Sequence, residues 1–303
     1  MSCPKTADIQ VSVETQQPTG TPKGTILLHS GVGGTGFYNQ VIGGTSYVQS
    51  FLAAGYRVVQ LAWATDWEDT TITPKSIKLA ACRPATLLNY VYNTIHGGPA
   101  AAGGMCALGH SGGSAAVAYA LTWYNAASYL DTVVLTSGPV FSDIEKGCQV
   151  PLPPNQTVCV TGEYGCDGAP WLAPVTLPVN VMQTWTGDST CQNSPGGTSA
   201  ASNAAWKAMS IVDGTSNANF SYPKTALSAY LCNNGTGSAN GQGGIYYSNF
   251  TGSGQAATYA VHSISGCQKE EDIWDGTTVS GVSGFNAVIS DFTDPVRGCI
   301  KRH

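Results

Sequence analysis

The sequence predicts an α/β protein with a mainly parallel central sheet and helices on both faces. Short, apolar, strand-length runs alternate with segments of helical periodicity, as in a sheet buried on both sides. Turn chemistry rich in Gly, Pro, Asn and Asp separates many of these segments. The 303 residues carry no linker and no internal repeat, so they read as one domain, 1–303.

Taken in order, DIQVSVET (8–15) alternates and reads as an edge strand, and PTGTPKG (18–24) as a turn. TILLHSG (25–31) is a buried-type strand running into glycine-rich GVGGTG. YVQSFLAAG (47–55) is a helix stopped by glycine, and YRVVQLAW (56–63) is a second buried-type strand. RPATLLNYVYNTIH (83–96) is a helix with Pro84 in its first turn. GMCALGH (104–110), SAAVAYALTWYNAA (114–127) and DTVVLTSG (131–138) read as strand, helix and strand. Residues 139–177 form a Pro/Gly/Cys-rich excursion. LPVNVMQTW (177–185) is a strand and SAASNAAWKAMSIV (199–212) a helix. Segments YPKTALSAYLC and GGIYYSNF, within 214–256, are expected to pair as an inserted hairpin. ATYAVHSI (257–264) is a strand, and SGFNAVISDF (283–292) starts a last helix. Chemistry in such sheets gathers at the carboxyl ends of the strands, here just after residues 29, 63, 110, 137, 185 and 262.

Composition narrows the function classes. Only 10% of residues are charged, the net charge is −5, and no basic patch occurs, which argues against a nucleic-acid partner. No apolar run has membrane-spanning length. The ten cysteines include no C-x-x-C and the five histidines no H-x-x-x-H, so no metal site is expected. An even cysteine count reads as disulfides formed in an oxidising compartment, hence a secreted protein. Glycosylation sequons at Asn155, Asn219, Asn234 and Asn249 agree with export. Met1-Ser2 ahead of Cys3 reads as a start placed on a mature chain whose leader was removed.

One motif carries chemistry. In ALGHSGGSAA (107–116), Ser111 stands between Gly109 and Gly113, after a strand and before a helix. A serine on so tight a turn needs small neighbours two residues away on each side. The helix start then aims backbone N–H groups at developing negative charge. With GHSGG in that setting, the chain resembles the α/β-hydrolase superfamily from about residue 25 to the final helix.

The resemblance implies a nucleophile, an acid and a histidine, in that chain order. Ser111 is the nucleophile. His262 is the one histidine that fits as base, because His29, His96 and His110 precede Ser111 and His303 ends the chain. Asp188, in TWTGDSTC, follows the strand at 177–185, which resembles the superfamily's penultimate strand; Asp213 is the runner-up. The oxyanion hole is assigned to the N–H groups of Gly112 and Val32, with Gly33 as alternative to the latter; HSGVGG (29–34) resembles the superfamily's H-G-G-G loop.

Tyr38, Trp63, Trp67, Trp171 and Trp185 are expected to share the pocket side as an apolar platform. The excursion at 139–177 is a candidate partial lid. Cys267–Cys299 is the expected bridge behind His262.

The function expected is a secreted, monomeric serine esterase needing no cofactor. Its substrate would be a small or polymeric ester, such as polyester or acylated polysaccharide. Amidase or peptidase chemistry on the same triad is the second reading. The third is a non-catalytic carbohydrate- or surface-binding protein on a hydrolase scaffold.

Overall fold

The computed structural model describes residues 3, 5–31, 33–41, 45–69, 76–148, 154–158, 171–177, 191, 200–233, 238–250, 254–267 and 277–303. Its centre is a seven-stranded sheet. In chain order its strands are β1 (Val11–Gln16), β2 (Gly24–His29), β3 (Arg57–Trp63), β4 (Gly104–His110) and β5 (Thr132–Thr136). A separate pair follows, β6 (Gln156–Val158) and β7 (Trp171–Ala173), and then β8 (Tyr222–Cys232) and β9 (Ala256–Ile264) complete the main sheet. The spatial order is β1-β3-β2-β4-β5-β8-β9, and every neighbouring pair is parallel except β1 with β3. Every residue of β2, β4 and β5 is buried, which explains their mostly apolar character.

The alternation of side chains across the strands divides the core in two. Leu27, Val59, Met105, Ala107, Val133 and Leu227 face one side. Helices α3 (Ile77–Ala80), α4 (Cys82–Tyr90), α5 (Gly112–Trp123), α6 (Ile144–Gly147), α7 (Ala200–Met209) and α8 (Ser238–Tyr247) supply residues to that side. Ile26, Leu28, Val58, Cys106, Leu108 and Val134 face the other. That side is covered by α1 (Tyr38–Val41), α2 (Thr45–Ala53) and α9 (Gly284–Thr293). This is the fold expected from the sequence.

Two expectations are corrected. The hairpin placed within 214–256 does not form. Its first half is β8, an interior strand between β5 and β9, and its second half is helix α8. The bridge Cys267–Cys299 is replaced by Cys232–Cys267 and Cys106–Cys299. Cys267 follows the carboxyl end of β9, beside the end of β8. Cys299 packs near Thr25 and Gly104 at the amino ends of β2 and β4, so the length of the strands separates the two sulfurs, although both lie on the same face of the sheet. Cys3–Cys82 and Cys148–Cys191 complete the four bridges among the described residues. The expected strand at 177–185 lies almost wholly outside them.

Candidate active site

Strand β4 ends at His110 and α5 begins at Gly112, leaving one residue to reverse the chain. That residue is Ser111, with φ 51° and ψ −115°. A non-glycine residue in such a conformation costs about 1–3 kcal/mol and persists only where its surroundings over-determine it. The surroundings are visible. Ser111 N–H donates to Thr136 O of β5 at 2.9 Å, and Ser111 O accepts from Ala115 N–H at 3.1 Å. Ser114 Oγ lies 2.8 Å from Gly109 O and 2.7 Å from Thr136 O, tying the helix start to both strands.

The two flanking glycines meet backbone, not side chain. A Cβ on Gly109 would stand 2.6 Å from Gly113 O, and one on Gly113 would stand 2.3 Å from His29 O and 2.5 Å from Ser30 O. The spacing in GHSGG therefore reflects two close approaches: strand against helix, and helix against the end of β2.

The 30–34 loop passes directly beside the serine. A Cβ on Gly31 would lie 3.2 Å from Ser111 Cβ and 3.1 Å from His110 Cδ2. Ser30 Oγ donates to Gly36 O at 2.7 Å, Gly34 N–H to Gly31 O at 3.1 Å, and Trp67 N–H to Gly33 O at 3.0 Å. Beneath the loop, buried His29 donates from Nδ1 to Ser30 O and accepts from Trp63 Nε1–H at Nε2. Burial lowers its pKa to about 4, keeping it neutral. Gly112 is the first residue of α5, where N–H groups have no acceptor within the helix. Val32 lies outside the described residues.

All five histidines are described. His96 meets Thr25 Oγ1 and His303 meets Leu130 O, both at the amino end of the sheet. His110, buried and held near pKa 4 by desolvation, meets Thr136 Oγ1 at 2.9 Å. His262 lies inside β9, opposite Tyr230 in the ladder, as Tyr230 is opposite Thr136 and Thr136 opposite His110. Three ladder spacings separate His110 from His262, about 14 Å, and the Tyr230 ring stacks on the imidazole at 4.6 Å. His262 Nε2 stands 4.0 Å from Asp291 Oδ2 on α9, and Tyr230 O–H donates to the same oxygen at 2.7 Å. The structure thus does not bring Ser111 and His262 together. It groups His262 with Tyr230 and Asp291 on the face covered by α9. Sequence reasoning missed Asp291, which follows His262 and so breaks the expected order.

Asp188 and Trp185 lie outside the described residues. Asp213 is engaged elsewhere, with Lys78 Nζ at 2.7 Å and Thr215 N–H and Oγ1–H at 2.8 Å. Burial would raise its pKa, but these bonds outweigh it and hold the carboxyl below its ordinary value. The aromatic platform is corrected as well. Tyr38, Trp63 and Trp67 are all buried, the first on the α9 side of the sheet and the other two on the α5 side. Trp171 is half-buried in β7. Of the described parts of the expected lid, the β6 and β7 stretches pack against α8, with Gly241 against Pro174 and Gly244 against Val158, while Phe141, Ile144 and Cys148 are buried in the core.

Two solved structures share this architecture. A truncated carbohydrate esterase from gut microbiota is 14% identical, with 93% of this chain and 88% of that one covered and a TM-score of 0.53. A bacterial heroin esterase is 12% identical, with 98% and 85% covered and a TM-score of 0.51. The chain thus has the α/β-hydrolase fold. No protein-family model and no curated protein matches it.

Proposed function

We propose that the chain is a serine hydrolase of carboxylic esters, with Ser111 as nucleophile. The observation that carries this reading is the strained serine at the carboxyl end of β4, set at the start of α5 and beside the 30–34 loop. Ser111 Oγ attacks the carbonyl carbon. The oxyanion is held by Gly112 N–H together with Val32 or Gly33 N–H, and water later releases the acyl group. Chain order makes His262 the base and Asp188 its orienting acid. For His262 to serve Ser111, the end of β9 has to leave its ladder and cross β8 and β5. The four bridges and the exposed sequon residues Asn155 and Asn219 support secretion. An esterified extracellular polysaccharide or polyester is the substrate class this reading favours, and the carbohydrate esterase of like fold supports it.

The placement of His262 inside β9, three ladder spacings from His110, the residue before Ser111, favours a second reading, a protein that binds an ester or acyl group at Ser111 without cleaving it. One experiment separates the two. On the first reading, wild type turns over a short p-nitrophenyl ester and is labelled by a fluorophosphonate. Ser111→Ala then loses both, and His262→Ala loses turnover on the order of 10⁴-fold or more. A wild type that binds the ester yet is neither labelled nor active selects the second. Full activity in Ser111→Ala sinks the first.

A further inference from the structure

Next to Ser111 stands a second strained serine. The ladder pairs His110 with Thr136, so the residues that follow them, Ser111 and Ser137, lie one strand spacing apart, about 5 Å. Ser137 has φ 49°, a conformation that favours glycine, although glycine itself comes one residue later, at 138. Its N–H is committed to Tyr230 O at 2.9 Å. The residue is 1% exposed. Its hydroxyl has no hydrogen-bond partner among the described residues. A buried, unsatisfied hydroxyl is costly, and so is a side chain at positive φ. Ser137 carries both costs beside the nucleophile, which points to a ligand group that completes the hydrogen bond.

Strand order says which group. The sequence β2-β4-β5 puts the 30–34 loop on one side of Ser111 and Ser137 on the other. With the carbonyl oxygen held on the loop side, the alkoxy oxygen of the ester is the acceptor left for the β5 side. We propose that Ser137 is a further catalytic residue, whose hydroxyl donates a hydrogen bond to the leaving-group oxygen of an ester bound at Ser111. The inference rests on Ser111 being the nucleophile. In acylation, Ser111 Oγ bonds to the carbonyl carbon and its proton passes to the base, His262 in the reading above. The C–O bond to the alkoxy group then breaks, and that oxygen leaves as the alcohol with the proton returned from the base. Ser137 keeps its own proton throughout and stabilises charge on the departing oxygen.

The test compares an ethyl and a p-nitrophenyl ester of the same short acid, reading kcat/KM for the whole chain. Ser137→Gly removes the hydroxyl and suits the backbone, so its Tm is expected to equal or exceed that of wild type. Its kcat/KM is expected to fall on the order of 100-fold for the ethyl ester, and by a roughly tenfold smaller factor for the p-nitrophenyl ester, whose phenolate departs unaided. Ser137→Ala, which keeps the Cβ, is expected to show the same dependence on leaving group. Equal losses on both esters, or none, overturn the inference. A wild type that neither turns over ester nor accepts a fluorophosphonate overturns the Ser111 reading and this inference with it; that failure shows before any Ser137 variant is made.

Discussion

Gly113 has no room for a side chain. Its Cα faces the carbonyl oxygens of His29 and Ser30, and neither backbone can retreat without breaking the join between β2 and β4. Gly113→Ala is therefore expected to destabilise the fold by roughly 3 kcal/mol or more, read as a lower urea midpoint, whereas Ser111→Ala folds with a Tm at or near wild type. A Gly113→Ala variant as stable as wild type would show that the turn can relax. This close approach made Ser111 legible in the sequence, because a passage so tight leaves small residues at fixed positions. Ser137 left no such mark. Its neighbours Thr136, Gly138 and Pro139 read as the end of any strand, and positive φ on a serine is visible only in the backbone. The proposed base and acid, His262 and Asp188, rest only on an order along the chain, and distances across a sheet are not encoded there.

Most elements were legible because burial wrote itself into composition: β2, β4 and β5 are mostly apolar and wholly buried. The 214–256 region failed for a physical reason. Helix α8 carries Gly241, Gly243 and Gly244, a poor helical composition. Each of the three packs closely, against Pro174 O, Gly138 O and the Val158 side chain respectively. Tertiary contact overrides local preference there, and only the folded chain supplies it. Strand β8 in turn carries exposed Pro223 and Lys224 near its start, which suggest an edge, yet from Ala226 to Tyr230 it is paired on both sides.

Covalent links between elements carry their own prediction. Cys106–Cys299 spans 193 residues and Cys232–Cys267 spans 35. On chain entropy alone, replacing both cysteines by alanine is expected to cost about 5 kcal/mol for the first pair and about 4 kcal/mol for the second. Denaturant midpoints of the two double variants should rank in that order; the reverse would show that local packing at Cys232 matters more than loop length.

Stability of the whole molecule should depend on pH from both ends. His29 and His110 titrate near 6.5 when unfolded and near 4 when buried. Between those values the unfolded chain binds protons that the native state refuses. Stability is present above about pH 6.5 and is lost as pH falls toward 4, by about 3 kcal/mol for each histidine. Glu68 acts in the opposite sense. It is fully buried, with no hydrogen bond from any other described residue to either carboxyl oxygen. Desolvation raises its pKa well above the ordinary value; its own backbone N–H opposes the rise, Asp66 adds to it and Arg83 opposes it. Its contribution is present below the unfolded value and lost as pH rises through the folded one. Thermal melts across pH check both signs. Glu68→Gln is expected to raise Tm near pH 8 and to leave it unchanged near pH 4, while the acid-side loss persists. A Glu68→Gln melt that tracks wild type at every pH would place the alkaline loss elsewhere.

The C-terminal tail has a consequence for handling the molecule. Cys299 is bonded to Cys106, Lys301 donates to Pro99 O and Ala101 O, and Arg302 binds Asp131. All of these anchors lie at or near the amino ends of β4 and β5, about 20 Å along β4 from Ser111. A molecule tethered to a bead or electrode through His303 would therefore stand with the Ser111 end of its sheet turned outward, open to a solid or polymeric surface brought up to it.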